Sequence, residues 1–312
     1  MSFRIAYITD LHLNPKGQNV AALNGFLNWA QRNNVDAVFF GGDTFEAQKD
    51  LVSKYKSVSS RQISAEKENE LGRLYDEICK RQLEVLNQHF MPQVDSFSKA
   101  SLKTKVLMAY GNHDKPLNDH LLQQDAGTPP FVPLGQETFF NLDGHMQVLF
   151  SYGKAVFPQY LENFAETTEN QLERDYSRLS TRFAEEGTNT QLVILASHMP
   201  PKNKILDAGY YRSDLGSTAV LEFVRQHSFP WGLFGHAHFS PKNSRQFFTP
   251  IATTSGSITI GINPGGEGYH TESSTGFMAV IFDINDKSQI LHSHHGETAI
   301  TSSSSLPPAA AF

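Results

Sequence analysis

The sequence predicts an α/β (α+β) domain made of two β-sheets with helices outside them. Three observations lead there. Short apolar runs rich in Ile, Val, Phe and Tyr alternate with stretches of helical periodicity over most of the chain. The stretch from Pro250 to His295 reads as strands and turns with no helix. Finally, 312 residues with 39% hydrophobic content can bury a core without a structural metal or disulfide.

The elements follow in order. FRIAYI (residues 3–8), AVFF (37–40), KVLMAY (105–110), QVLFSY (147–152), LVILAS (192–197) and WGLF (231–234) are too short for isolated core helices and are predicted as buried strands. From Ser64 to Phe90, residues Leu71, Leu74, Tyr75, Ile78, Val85 and Leu86 recur at spacings of three, four and seven. Glu66 and Glu68 fall in the first turn, where negative charge suits the helix dipole, so this is an amphipathic helix. A second long pattern carries Leu161, Phe164, Leu172, Tyr176, Leu179 and Phe183 and stops at Gly187, a residue suited to the left-handed position after a helix. A third runs from Ser217 to His227. Within the C-terminal stretch, TTSGSITIGI, GFMAVIFDI and QILHSHH are predicted strands. The expected organisation is one domain over residues 1–300, with a helical insertion at 46–100 that can act as a lid, and a low-complexity tail, TSSSSLPPAAAF, at 301–312.

Composition excludes several classes. Lys and Arg total 26 against 32 Asp and Glu, and a net charge of −6 argues against a protein that tracks long nucleic acid. A single cysteine, Cys79, excludes an intrachain disulfide and fits a reducing compartment. No basic segment followed by a long apolar run opens the chain, and no stretch approaches about 18 apolar residues, so neither signal peptide nor membrane span is expected. The expected location is the cytoplasm, and a homo-oligomer is compatible with all of this.

Five predicted strands end in residues that bind metals. FRIAYI leads to Asp10 and His12, AVFF to Asp43, KVLMAY to Asn112, His113 and Asp114, LVILAS to His198, and WGLF to His236 and His238. In α/β folds ligands collect at the carboxyl ends of strands. Taken singly each residue has an ordinary reading: Asp43 after two glycines as a turn or cap, His198 as a loop histidine, Gly-His as a simple turn. Taken together, five such ends point to one site. Carboxylate, imidazole and amide oxygen form a mixed donor set suited to Mn, Fe, Zn or Co, unlike a thiolate zinc site or an all-oxygen calcium cage.

The order D-x-H, G-D, G-N-H-D, an isolated H and then G-H-x-H, covering residues 10–238, resembles the signature of the calcineurin-like metallophosphoesterases. Ser197-His198-Met199-Pro200-Pro201, Gly216-Ser217 before a helix, and Asn263-Pro264-Gly265-Gly266 resemble its phosphodiesterase branch, the class III cyclic nucleotide phosphodiesterases. The resemblance implies a four-layer α-β-β-α sandwich of two mixed sheets and two metal ions, Mn first, with Fe, Zn or Co as alternatives. Asp10, His12 and His238 would hold one ion, and Asn112, His198 and His236 the other. Asp43 would bridge them, and a hydroxide shared by the ions would attack phosphorus in line. His113 would serve the leaving oxygen as acid or hydrogen-bond donor, with Asp114 orienting its ring. The protein phosphatases of this superfamily carry G-D-x-x-D-R-G and G-N-H-E. Here Gly42-Asp43-Thr44-Phe45-Glu46 and G-N-H-D stand instead, and the phosphate-clamping arginine is missing.

The implied activity is hydrolysis of a small phosphodiester, a cyclic nucleotide or similar nucleotide-like ester. A nuclease of the repair exonuclease type is the alternative, and a non-catalytic scaffold a further one; the intact ligand set speaks against the scaffold and the net charge against the nuclease. Lys49, Lys54, Lys56 and Arg61 lie in a polar stretch after Asp43 that reads as a substrate lid or as a solvated connector. Tyr210, Tyr211 and Arg212 follow His198 in a loop that could stack on a base. His292, His294 and His295 cluster near the end, with only the first two on one strand face.

Overall fold

Strands that are apolar on both faces must be covered twice. The computed structural model meets this demand, and describes residues 3–46, 51, 54, 65–123, 130–142, 144, 146–152, 155–156, 166–209, 215–266, 277–294 and 297–302. Its first half runs β1 (Arg4–Ile8), α1 (Val20–Arg32), β2 (Ala37–Gly41), α2 (Ala65–Val85), a π-helical turn (Leu86–Phe90), α3 (Met91–Ala100), β3 (Lys105–Ala109), α4 (Lys115–Gln123), β4 (Val132–Pro133), β5 (Thr138–Asn141) and β6 (Gln147–Tyr152). Then come β7 (Ala155–Val156), β8 (Glu166–Thr167), α5 (Glu169–Glu186), β9 (Val193–Ser197), α6 (Thr218–Gln226), β10 (Trp231–Leu233) and α7 (Ser240–Ser244). Strands β11 (Phe248–Ala252), β12 (Ile258–Ile262), β13 (Ala279–Asp283), β14 (Asp286–His294) and β15 (Glu297–Ser302) close the order.

Among the described residues one sheet has the order β15-β14-β13-β1-β2-β3-β4 and the other β11-β12-β10-β9-β6-β5, with β7 and β8 a separate pair. Both large sheets are mixed. β1, β2 and β3 are parallel while β13 joins β1 antiparallel, and β6, β9, β10 and β12 are parallel while β5 and β11 are antiparallel edges.

Alternation along the strands builds the layers. Tyr7, Phe39 and Leu107 of the first sheet meet Phe150, Ile194, Trp231 and Ile262 of the second in a core between the sheets. Ile8, Val38, Phe40 and Met108 point the other way, under Phe26, Trp29, Val94 and Phe97 of α1 and α3. Leu149, Val193 and Leu195 pack beneath Leu172, Phe183, Val220 and Phe223 of α5 and α6. The result is the α-β-β-α sandwich. At the carboxyl end of β1 the sheets are tied directly, for the buried Tyr7 hydroxyl donates to the Phe234 carbonyl at 2.9 Å.

Helix ends match the sequence where it carried caps. Thr168 caps α5 by accepting from the Gln171 N–H, Gly187 ends it at φ 63°, and Ser217 caps α6 by accepting from the Val220 N–H. The expected helix over 64–90 begins at Ala65 and passes through the π turn into α3. Pro92 explains the turn: its ring and missing N–H conflict with a regular α-helix, and a widened turn before it lets the chain continue. Helix α1 was not foreseen. The second helical pattern does not run on from Leu161, for Glu166–Thr167 form β8 and the Thr168 cap starts α5 at Glu169. Leu161 and Phe164 themselves lie outside the described residues, as do most of the stretch after Asp43, the loop with Tyr210, Tyr211 and Arg212, His295, and residues 303–312. Thr301 and Ser302, assigned to the tail, belong to β15. Among the described residues no helix is long and apolar enough to cross a membrane.

The core between the sheets yields a prediction. Phe282 is fully buried there, its ring 4.7 Å from that of Trp231. Phe282→Ala should lower unfolding stability by about 3–5 kcal/mol in urea denaturation, and a loss under about 1 kcal/mol would contradict this packing.

Candidate metal centre

The loops that carry the candidate ligands continue the sheet. Beyond β1 and β2 the parallel ladder persists, with Asp10 N–H donating to Gly42 O (3.0 Å), His12 N–H to Asp43 O (2.9 Å) and Leu13 N–H to Thr44 O (2.8 Å). On the second sheet Gly235 N–H donates to His198 O at 3.0 Å. Asp10, His12, Asp43 and His236 hold left-handed backbone, at φ 55°, 50°, 49° and 64°. Such conformations are uncommon for side-chain-bearing residues and persist only where the surroundings impose them. Gly42, at φ 104°, lies where a Cβ would stand 2.7 Å from the Gly111 nitrogen, so the Asp43 and Asn112 loops touch only because glycine is there.

All seven candidate ligands converge. One cluster joins Asp10, His12, Asp43 and His238, and another joins Asp43, His198 and His236. Asp43 belongs to both. Its Oδ2 is 3.1 Å from His198 Nε2 and 4.0 Å from His12 Nε2, while its Oδ1 accepts the His113 N–H at 2.8 Å. Asp10 Oδ1 is 3.1 Å from His238 Nε2, and the Asp10 carboxylate accepts the His236 N–H. His12 Nε2 and His238 Nε2 face each other at 3.2 Å, and His236 Nδ1 lies 3.1 Å from Asn112 Oδ1.

The donor set fits metal. His198 Nδ1 faces the Gly41 carbonyl at 3.3 Å, and with the ring proton assigned to that contact the lone pair of Nε2 turns toward the Asp43 carboxylate. That buried Nε2 has no hydrogen-bond partner of acceptable geometry. A lone pair aimed at a carboxylate demands a cation or a proton between them. Without metal the proton serves: burial lowers the His198 pKa, but Asp43 and Asp10 outweigh it and hold the ring up to about 9. Burial and then the charge on His198 push His236 the other way, to about 3.

Glu46 is the residue the sequence reading did not assign. One carboxylate oxygen lies 2.8 Å from His12 Nδ1 and the other 3.1 Å from His113 Nδ1, so both rings turn Nε2 inward. Its place three residues after Asp43 in G-D-T-F-E was the only signal. The ring-orienting role expected of Asp114 falls to Glu46. Asp114 turns away, accepting the Gly111 N–H at 2.5 Å and the Thr44 N–H at 2.7 Å, because it must hold two loop backbones together. Burial, then the Asp43 charge, raises the Asp114 carboxyl to about 7. His113 is the accessible ring, with 22% of its side chain exposed. Burial lowers its pKa, but Asp43 and the Glu46 hydrogen bond prevail and bring it up to about 9.

Asp10 and Glu46, like Asp43, are strongly acidic. Burial pushes Asp10 up and the His238 and His198 charges pull it down to about 2; burial pushes Glu46 up and hydrogen bonds from His113 and His12 bring it to about 2. Their ordinary values are 3.8 and 4.5. With the folded pKa depressed, each contributes stability that is complete above the unfolded value and lost as pH falls toward the folded one. Protein stripped of metal should therefore lose stability from about pH 4.5 down to about pH 2. Urea denaturation across that range should show a shallower decline for Glu46→Gln, and an identical decline would refute the linkage.

Residues 3–240 match the profile of the calcineurin-like phosphoesterases. No curated protein matches the chain by sequence. Among solved structures, a dimetal phosphatase from Danio rerio is 13% identical, with 96% of this chain and 98% of that chain covered at a TM-score of 0.50. TT1561 of Thermus thermophilus is 12% identical, with 97% and 99% covered at a TM-score of 0.53. At such identities these two attest the shared fold. The sequence profile covers every candidate ligand and strands of both sheets, and the chain belongs to the calcineurin-like phosphoesterases, hydrolases of phosphoric esters.

Proposed function

We propose that this chain is a dinuclear metal-dependent phosphodiesterase acting on a small substrate, a cyclic nucleotide or other nucleotide-like diester, in the cytoplasm. The observation that carries the reading is Asp43, a carboxylate common to both ligand clusters. Asp10, His12 and His238 would hold one ion and Asn112, His198 and His236 the other, with Asp43 in reach of both. Manganese suits this mixture of oxygen and imidazole donors, as do iron, zinc and cobalt. When bound, the two ions neutralise charge on the phosphoryl group and make water a nucleophile at neutral pH.

The chain's own residues do the rest. His113 presents Nε2 on the accessible side, 4.0 Å from Asp43 Oδ2, and acts as the acid that gives its proton to the departing oxygen. Glu46 fixes the ring through Nδ1 and favours its charged form. Asp114 keeps the loops that carry Asp43 and His113 in register through the Thr44 and Gly111 N–H groups. A diester carries one negative charge where a monoester carries two. The position after Glu46, where the protein phosphatases have arginine, is Ala47, which favours the less charged substrate.

Metal-free protein reloaded with Mn²⁺ should hydrolyse bis-p-nitrophenyl phosphate faster than p-nitrophenyl phosphate. Asp43→Ala should lower the rate by at least about 10²-fold, since it removes a donor from both ions. Preference for the monoester, or full activity in the variant, would overturn the proposal.

A further inference from the structure

Helix α2 lies outside every motif, yet it reaches the loop that carries His113. Tyr75, Ile78 and Gln82 sit on one face at spacings of three and four. Tyr75 donates its hydroxyl proton to Asp119 of α4, which also pairs with Lys115. Ile78 and Gln82 are buried, each 1% exposed. A buried glutamine is costly unless both ends of its amide are bonded. Here Nε2 donates to the His113 carbonyl at 2.6 Å, and Oε1 accepts the Leu117 N–H at 3.2 Å.

Those two backbone groups need a partner. Leu117 is the third residue of α4, and the first four N–H groups of a helix have no acceptor within it. The residue before α4 is Asp114, where an aspartate commonly caps, but its carboxylate is engaged by Gly111 and Thr44. Gln82, more than thirty residues earlier in sequence, takes over the capping and clasps the His113 carbonyl with the other end of its amide.

We propose that Gln82 is a positioning residue for the reaction, fixing the peptide of His113 so that its ring meets the leaving oxygen. This rests on the phosphodiesterase reading above. His113 is then held at three points: N–H on Asp43, carbonyl on Gln82 and ring Nδ1 on Glu46. That leaves Nε2 directed into the site. Loss of one restraint misplaces the ring without removing a metal ligand.

The test uses Gln82→Met, which keeps volume and loses both hydrogen bonds, and Gln82→Glu, which keeps an acceptor for Leu117 but turns an oxygen toward the His113 carbonyl. In metal-free protein, amide hydrogen exchange at Leu117 should quicken at least about tenfold in Gln82→Met and stay near wild type in Gln82→Glu. In the Mn²⁺-loaded enzyme both variants should lose about tenfold or more in kcat, with KM and bound metal unchanged. The loss should steepen across aryl diesters as the leaving group worsens, because His113 acts on the leaving oxygen. Unchanged exchange at Leu117, or a kcat loss that ignores the leaving group or follows lost metal, overturns the proposal. If wild-type protein hydrolyses no diester, the phosphodiesterase reading fails, and the exchange measurement alone decides whether Gln82 holds the loop.

Discussion

Two fully buried carboxylates, Asp10 and Asp43, impose the conditions that the site must satisfy. A carboxylate taken out of water costs several kcal/mol after relaxation unless charge and hydrogen bonds replace the lost hydration. Each obtains both here. Asp10 has the His236 N–H and the His238 ring, and Asp43 has the His113 N–H and the His198 ring. Neighbouring imidazoles overcome burial and keep both acids ionised. A pair of cations satisfies the same demand more fully than protons on histidines, so an arrangement that tolerates two buried charges is also one that concentrates metal.

Holding those carboxylates requires backbone that the residues would not choose alone. Four side-chain-bearing residues at positive φ cost about 1–3 kcal/mol each. The parallel ladder between the loops after β1 and β2, together with the contact of Gly42 with Gly111, imposes the shape from several directions at once. The rigid part of the fold thus extends past the strand ends and into the loops, where chemistry needs precision most.

The strands and their polar termini were legible because both rest on local pattern: runs apolar on two faces, then Asp, His or Asn. That placed β1, β2, β3, β6, β9 and β10 and brought Asp10, His12, Asp43, Asn112, His198, His236 and His238 to one end of the sandwich. Helix α1 was hidden by its own interior, since Asn24-Gly25 reads as a turn although Leu23, Phe26, Leu27 and Ala30 have core spacing. Glu46 and Gln82 were hidden for another reason. Their importance lies in contacts across 67 and 31 residues of sequence, which no local pattern encodes. The family resemblance gave Asp114 the ring of His113 to orient, whereas its carboxylate holds the Thr44 and Gly111 N–H groups.

Strand β1 sits in the middle of its sheet, with β2 on one side and β13 on the other, in the register Arg4↔Asp283 to Ile8↔Ala279. Ribosomes deliver residues in order, so β2 is at hand almost at once and β13 only after some 270 more residues, on the order of tens of seconds later. For that interval the flank of β1 that leads to Asp10 is an unpaired edge, apolar and free to join a strand of another molecule. The strand order therefore ties the protection of one central strand to a partner made much later, and the sheet spends that interval with an apolar edge open.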